Sequence, residues 1–460
     1  MILSREQGVA FNKYRNGENI FITGPGGTGK SELIRRIYED AKMRNKKLQV
    51  CAMTGCAAVL LNCDALTIHS WSGIGIGNRS IEDYIHTIGQ NYFKSKMWRE
   101  TRILIVDEVS MLSLKLFNML NAIGKCVRKS MRGFGGIQVI FSGDFFQLPP
   151  VGNRTEEETC QFCFESAEWR EVFPRGNEIE LKRIYRQTDE SYASILNGIR
   201  VGKMNSRMVT ELEKRVGLTP REGMSVVKLY PIKSKVAVMN KNEMEKLKTE
   251  ETKYVMKIVD NVRELSREES HARGRMSPKM IEIEIQNFSN NLMCQKEIII
   301  KIGSQVMCII NSLNEEGNIE LCNGSQGKVI KYEQIQGKDF PVVLYNNGVE
   351  KVMTPYLWES ERIPGMGIKQ VPLILAWAIT IHKSQGMTLD CAEIDVGSSV
   401  FECGQTYVAL SRVRQMEGLY LSMLDVYKIK VNRKVQEYYK SIKMDDIMKK
   451  IEFNNILNDK

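Results

Sequence analysis

The sequence predicts an α/β fold with two parallel-sheet domains in tandem and a small β-barrel inserted in the second. Three observations lead there. Apolar strand-like runs alternate with helical patterns up to about residue 190, a second alternation opens at Met224, and short strands broken by Gly and Asn crowd together beyond Met280.

The first strand and helix are the most informative. In Asn19 to Ser31, NIFITGPGGTGKS, the buried run Ile20, Phe21, Ile22 leads into a glycine-rich turn, and Leu33, Ile34, Ile37, Tyr38 and Ala41 follow at helical spacing. A turn of Gly24, Pro25, Gly26, Gly27, Thr28 and Gly29 lets successive backbone N–H groups point inward at phosphate oxygens, with the dipole of the next helix behind them. Lys30 then neutralises β- and γ-phosphates, and Ser31 is the expected Mg²⁺ ligand. The expected cofactors are therefore ATP and Mg²⁺. A glycine-rich turn without function is the bland alternative, and the strand-loop-helix context argues against it.

Further strands are read in LQVCAM, ILIV, IQVIF and EIEL. The run ILIV leads into Asp107 and Glu108, where a parallel sheet presents its active-site carboxylates: Asp107 is expected to hold Mg²⁺ through water and Glu108 to deprotonate the attacking water. The next ends in Gly143, Asp144 and Gln147, and Gln147 is a candidate for the γ-phosphate or its water. On spacing alone, a polar loop closed by Pro149 and Pro150 is an equal reading of that segment.

Beyond the first domain, MSVVKLY and the amphipathic stretch Ser234 to Leu247 read as the strand and helix that open the second. The charged segment 248–279 reads as an exposed helix or mobile linker, and IEIEI, IIIKIGSQVMCII and LCNGSQGKVI read as short strands, with Asn323 and Gly324 as a hairpin signal. VPLILAWAIT returns as a strand, and a helix is expected around Gly404 to Arg414. The second α/β domain is thus discontinuous.

Composition constrains the partner. A net charge of +10, with Lys and Arg densest toward the C-terminus, suits a polyanion such as nucleic acid, although a solvated basic face is nearly as common. No stretch is long and apolar enough to span a bilayer, MILSREQ is not a signal peptide, and no membrane partner is expected. Eleven scattered cysteines point to reduced thiols in an intracellular compartment, with nucleus and cytoplasm unseparated. Cys160 and Cys163 form a close pair, but a zinc site needs two more ligands.

Two of the four histidines sit in matching TIH triplets, Thr67 to His69 and Thr380 to His382. The segment TIHKSQG, Thr380 to Gly386, gathers an imidazole, an ammonium, hydroxyls and an amide after a buried strand, donors that suit phosphate oxygens of a nucleic-acid strand. In the first domain, Thr54 in TGCAAVLL and Thr67, His69 and Ser70 offer similar donors, while Trp71 is either a stacking face for a base or a core residue.

A longer series of motifs then narrows the reading: FGGIQVIFSGDFFQLPPV, CFESAEWREVF with ELKRIYRQ, LYPIKSKVAVMN, CNGSQGKVI, LAWAITIHKSQGMTLD and GQTYVALSRVR. In this order they resemble the Pif family (petite integration frequency) of superfamily I DNA helicases, in the branch that also contains RecD, over about nine tenths of the chain. The resemblance implies two RecA-like domains with an SH3-like insertion. It divides the chain into 1–190 (domain 1A, with a wedge element 1B near 72–95), 191–295, an inserted 2B at 296–368, the rest of 2A at 369–430, and a basic helix or tail at 431–460. It implies that Gln7 reads the adenine edge and that Arg186 and Arg412 converge on the γ-phosphate. Within TIHKSQG, it implies DNA contacts for Thr380, His382, Lys383 and Ser384 and nucleotide coupling for Gln385 and Gly386. One departure is the helix following DEVSM, which lacks the family's usual acidic start.

The expected activity is an ATP-dependent helicase, acting as a monomer and moving 5′ to 3′ on single-stranded DNA to unwind forked duplexes in replication, recombination or repair. RNA–DNA hybrids and G-quadruplexes stay open as substrates. The main alternative is an ATP-gated nucleic-acid binding or remodelling protein without productive unwinding. A small-molecule kinase would need neither the TIH pair nor a second domain.

Overall fold

β1 (Ile20–Thr23) is buried along its whole length and lies between two parallel neighbours, as an all-apolar run flanked by helices requires. The computed structural model describes residues 3–443 apart from 62, 76–78, 154, 188, 221–225, 261–264, 266, 311, 314–318, 322 and 361–362. With β2 (Leu48–Ala52), β3 (Leu66–Thr67), β4 (Ile103–Asp107), β5 (Gln138–Ser142) and β6 (Glu178–Glu180), β1 builds a parallel sheet in the order β3-β2-β4-β5-β1-β6. Ala52 pairs with Asp107 and Ile22 with Ser142, so the loops that carry the candidate chemistry leave one edge of the sheet together.

Helices cover both faces. α1 (Arg5–Arg15) begins at a capping box in which the Ser4 hydroxyl accepts the Gln7 N–H and the Gln7 side chain accepts the Ser4 N–H. α2 (Lys30–Met43) buries Leu33, Ile34, Ile37 and Ala41 against β1, β2, β4 and β5. On the other face, the helix Leu114–Val127 packs Phe117 edge-on to Phe134 and Phe141, within a core that also holds Trp71, Trp98 and Trp169.

The chain divides into two units, one comprising 1–209, 400–411 and 426 onward, the other 210–399 and 412–425. The helix Glu190–Val201, assigned above to the second domain, thus belongs with the first: it buries Tyr192, Ile195, Leu196 and Ile199, and the Tyr192 hydroxyl donates to the Leu410 carbonyl at 2.7 Å. The end of the chain also returns to the first unit as a helix over 433–443 whose buried Val435, Tyr438, Tyr439 and Ile442 join the core. Those four residues recur at spacings of three and four among basic neighbours, the pattern of a helix with one apolar face. Residues 444–460 of the expected tail, and residues 76–78 of the expected wedge, lie outside the described residues.

The second unit holds a four-stranded parallel sheet, Ala378–Thr380, Val227–Tyr230, Ala392–Val396 and Leu419–Leu424 in that order. Helices and antiparallel sheets accompany it. A five-stranded one orders Glu350–Val352, Lys338–Tyr345, Gln326–Ile335, Gln305–Cys308 and Leu373–Leu375, around a core that includes Val306, Val329, Val343 and Leu373. The α/β class with two RecA-like parallel sheets is therefore as expected.

Four local expectations change. IEIEI lies in the helix Pro278–Asn291, because Ser277 caps it through the Met280 N–H and Pro278 stands at its first position; those local signals outweigh five residues of alternation. The charged segment 248–279 keeps an expected helix at Arg267–Gly274 but also contains strands Thr252–Val255 and Lys257–Asp260, which pair with Glu297–Ile300 and Met366–Gln370. VPLILAWAIT is two strands in different sheets, Leu373–Leu375 and Ala378–Thr380. The turn at Asn323 and Gly324 joins strands that do not pair with one another, since Ile319–Leu321 pairs with Ser312–Leu313 and Gln326–Ile335 with Gln305–Cys308. Among the described residues, no helix is long and apolar enough to cross a membrane.

Candidate nucleotide site and nucleic-acid segments

The glycine turn after β1 is closed by its neighbours rather than by itself. Gly24 and Gly27 have φ of +137° and +81°, and a Cβ on them would stand 2.4 Å from the Leu181 carbonyl oxygen and 2.4 Å from the Arg186 Cβ. Only glycine fits both the backbone angle and the space. The Tyr185 N–H donates to the Gly27 carbonyl at 2.8 Å, so the segment after β6 lies directly on the loop and carries Arg186 with it. The Arg186 guanidinium donates to the Ser411 carbonyl at 3.2 Å.

Lys30 begins α2 and bends back, its ammonium donating to the Gly24 carbonyl at 2.7 Å and to the Pro25 carbonyl at 2.9 Å. It keeps some solvent exposure, yet the dense protein around it lowers its pKa, against the opposite pull of Asp144, Glu108 and Asp107. Thr28 is buried, its hydroxyl donating to the Pro25 carbonyl at 2.9 Å, and Ser31 sits half-buried in the first turn of α2. Gln7 is buried beside the loop, and its amide approaches the Thr28 and Gly29 carbonyls at 3.5 and 3.4 Å.

The carboxylates stand at the ends of neighbouring strands. Asp107 is pushed up to about 6 by burial first and by adjacent Glu108 second, while Lys30 pulls it down. A buried acid so raised gains from any cation that neutralises it. Glu108 holds a left-handed backbone, φ 57° and ψ 39°, an arrangement that costs a non-glycine residue of order 1 kcal/mol and persists only where the surroundings impose it. Gln147 is buried, and its Oε1 has no hydrogen-bond partner among the described residues. A glycine-rich loop at a helix start, an ammonium folded back onto it, two adjacent carboxylates and an orphaned amide oxygen together fit a nucleoside triphosphate with a divalent cation.

Three residues beside this site escaped the sequence reading. Arg200 is buried and clamps Asp144 through two bonds, Nε to Oδ2 at 2.8 Å and Nη2 to Oδ1 at 2.9 Å, with its guanidinium 4.6 Å from the Phe146 ring centre. Burial alone would lower the Arg200 pKa, but Asp144 reverses the direction. Its spacing was a usable signal: position 200 continues the apolar stripe 192, 195, 196, 199, so a charge there must find a buried partner. Tyr407 accepts the Gly26 N–H at 2.9 Å, and Tyr439 reaches Asp144; both arrive from far along the chain, and nothing local marks them as neighbours of this loop.

The nucleic-acid candidates divide into exposed groups and structural ones. Trp71 is 1% exposed and packs on Trp98 with ring centres 4.5 Å apart. It is a core residue, and the stacking role is withdrawn. Thr67 caps a short helix by accepting the Ser70 N–H, Thr54 accepts the Ala57 N–H, and burial lowers the His69 pKa. In TIHKSQG, Ser384 is fully buried and donates to the Ile381 carbonyl at 2.8 Å, while buried Thr380 accepts the Lys383 N–H at 3.2 Å. Those two hydroxyls shape the turn and are not presented to a strand. Lys383 and Gly386 are exposed, His382 is half-buried, and Gln385 is buried. Arg412, in the same unit, is 2% exposed and its Nη1 stands 3.5 Å from the Met387 carbonyl.

Comparisons with known proteins bear on the family. The family model described as PIF1-like helicase matches residues 2–209. The ATP-dependent DNA helicase PIF1 of Danio rerio is 34% identical over 459 residues, covering 99% of this chain and 66% of that protein. The crystal structure of Pif1 helicase from Candida albicans is 33% identical with a TM-score of 0.73, covering 96% of this chain and all of that one. The chain belongs to the PIF1-like helicase family. It spans about two thirds of the length of the curated relatives it matches. The Pif1 helicase from Bacteroides in complex with ADP-AlF3 and single-stranded DNA is 25% identical with a TM-score of 0.64, covering 96% and 98% of the two chains. That family member holds nucleotide and DNA strand together.

Proposed function

We propose that this chain is an ATP-dependent DNA helicase that hydrolyses ATP at the loop after β1 and tracks along single-stranded DNA from 5′ to 3′, unwinding forked duplexes ahead of it. The observation that carries the reading is the joint placement of Lys30, Asp107, Glu108 and Gln147 at one edge of a parallel sheet, in a chain of this family. Polarity rests on the family alone.

In this reading the N–H groups of residues 24–31 and the Lys30 ammonium bind the phosphates, and Gln7 reads the adenine edge. Asp107, through water, and Ser31 would hold Mg²⁺, which would supply charge neutralisation at the phosphates. Glu108 takes the proton of the attacking water, and Gln147 orients that water. Arg186 and Arg412 stabilise the charge that spreads over the γ-phosphoryl oxygens. His382 and Lys383 engage phosphates of the DNA strand, with Thr380 and Ser384 setting the turn that presents them and Gln385 and Gly386 linking it to the nucleotide.

The deciding experiment against an ATP-gated binder measures ATP hydrolysis with and without single-stranded DNA, alongside displacement of a labelled strand from a fork. The reading expects both stimulation and displacement; stimulated hydrolysis without displacement favours the binder. The Lys383→Ala variant should weaken DNA binding and flatten its logarithmic salt dependence by about 0.7, the share of one phosphate contact on a single strand. Its ATPase without DNA should match the parent. An unchanged salt slope would remove Lys383 from the DNA track.

Trp71→Ala separates core from surface. Loss of this buried indole should lower stability by about 3–5 kcal/mol in urea unfolding, as large-to-small core changes do. Any change in DNA affinity should follow only the unfolded fraction.

A further inference from the structure

The helix over 433–443 reaches the strand that carries the phosphate loop. Its Tyr439 is buried, and the hydroxyl bonds to the Thr23 hydroxyl, one residue before Gly24. The same oxygen accepts the Phe145 N–H at 3.3 Å and lies 3.3 Å from the Asp144 carboxylate, as its donor. The ring stacks on Phe146 with centres 4.7 Å apart and lies 5.3 Å from the Arg200 guanidinium. One phenol therefore ties together the end of β1, the turn after β5 and the buried Arg200–Asp144 pair. Two independent links run from that cluster to the nucleotide site: Thr23 leads directly into the loop, and Gln147 follows Asp144 by three residues, its N–H donating to the Asp144 carbonyl at 2.8 Å.

We propose that Tyr439 is a positioning residue for ATP turnover, its hydroxyl fixing the end of β1 and the Asp144–Gln147 turn relative to one another, so that hydrolysis requires the C-terminal helix to be docked. This rests on the reading of the loop as an ATPase site. Physically, a buried hydroxyl with three polar partners can satisfy them in only one arrangement, which restricts both backbones at once. The neighbouring Tyr438 is the internal control: it is equally part of the core, stacks on Phe164 with centres 4.3 Å apart, and bonds to Glu178, away from the loop.

The test compares Tyr439→Phe with Tyr438→Phe in the full chain. Both keep the ring and lose one hydroxyl. Measured for each are Tm, kcat and KM for ATP at saturating single-stranded DNA, and DNA affinity without nucleotide. Tyr439→Phe is expected to lose about tenfold in kcat, the scale of one buried hydrogen bond lost from the reacting arrangement, with DNA affinity unchanged. Tyr438→Phe is expected to lose Tm comparably while keeping kcat within about twofold. Parental kcat in Tyr439→Phe would overturn the proposal, and so would equal losses of kcat in both variants or a parallel loss of DNA affinity, each of which reports general loosening. A parent chain without ATPase would instead sink the reading beneath it.

Discussion

Replacing Lys30 by Ala should abolish ATP hydrolysis, and Glu108→Gln should retain nucleotide binding while turnover falls by about 10²–10⁴, the range contributed by a positioned general base. The two variants fail for different reasons. Lys30 bonds to the Gly24 and Pro25 carbonyls at the turn, and its removal takes a positive charge away from beside Asp107, Glu108 and Asp144 where the phosphates are expected to bind. Glutamine at 108 keeps the size and the hydrogen bonding of the side chain but cannot take a proton. A fluorescent ATP analogue titration beside a hydrolysis assay separates the outcomes. Near-parental turnover in Glu108→Gln would show that another group accepts the proton.

Arg200→Ala should lower stability by about 3–5 kcal/mol, because it leaves the Asp144 carboxylate buried and uncompensated. Asp144 has no exposed surface, and Arg200 supplies both of its short bonds. Chemical unfolding of the parent and the variant gives the number directly. The paired change Arg200→Met with Asp144→Leu should recover most of the loss, since two apolar groups of similar size owe no desolvation cost. A loss below about 1 kcal/mol in Arg200→Ala would place the pair among ordinary surface ion pairs.

The parts of this protein that were legible in sequence are those whose cause is local. The loop of residues 24–31 is determined by its glycines, and Asp107 and Glu108 by an apolar strand that has to end at the sheet's edge. Tyr407, Arg200 and Tyr439 reach the same region from 200 or more residues apart in places, and only Arg200 broke a local pattern. Trp71 shows the converse error: an aromatic beside polar donors looks like a stacking platform, yet its indole packs on Trp98 in the core. In TIHKSQG the composition suggested four equal donors, and the turn's own hydrogen bonds commit Thr380 and Ser384 and leave Lys383 outward. The helix Pro278–Asn291 and the strands within 248–279 were misread because charge on exposed positions hides both kinds of period.

The central claim is that turnover at the Lys30 loop drives directed movement along a DNA strand. Its most direct test is an unwinding time course on three labelled duplexes, bearing a 5′ tail, a 3′ tail or a fork, with ATP and with Glu108→Gln in parallel. Displacement is expected from the 5′-tailed and forked duplexes, little from the 3′-tailed one, and none with Glu108→Gln. Equal displacement from the 3′-tailed duplex, or displacement that persists with Glu108→Gln, would contradict the account.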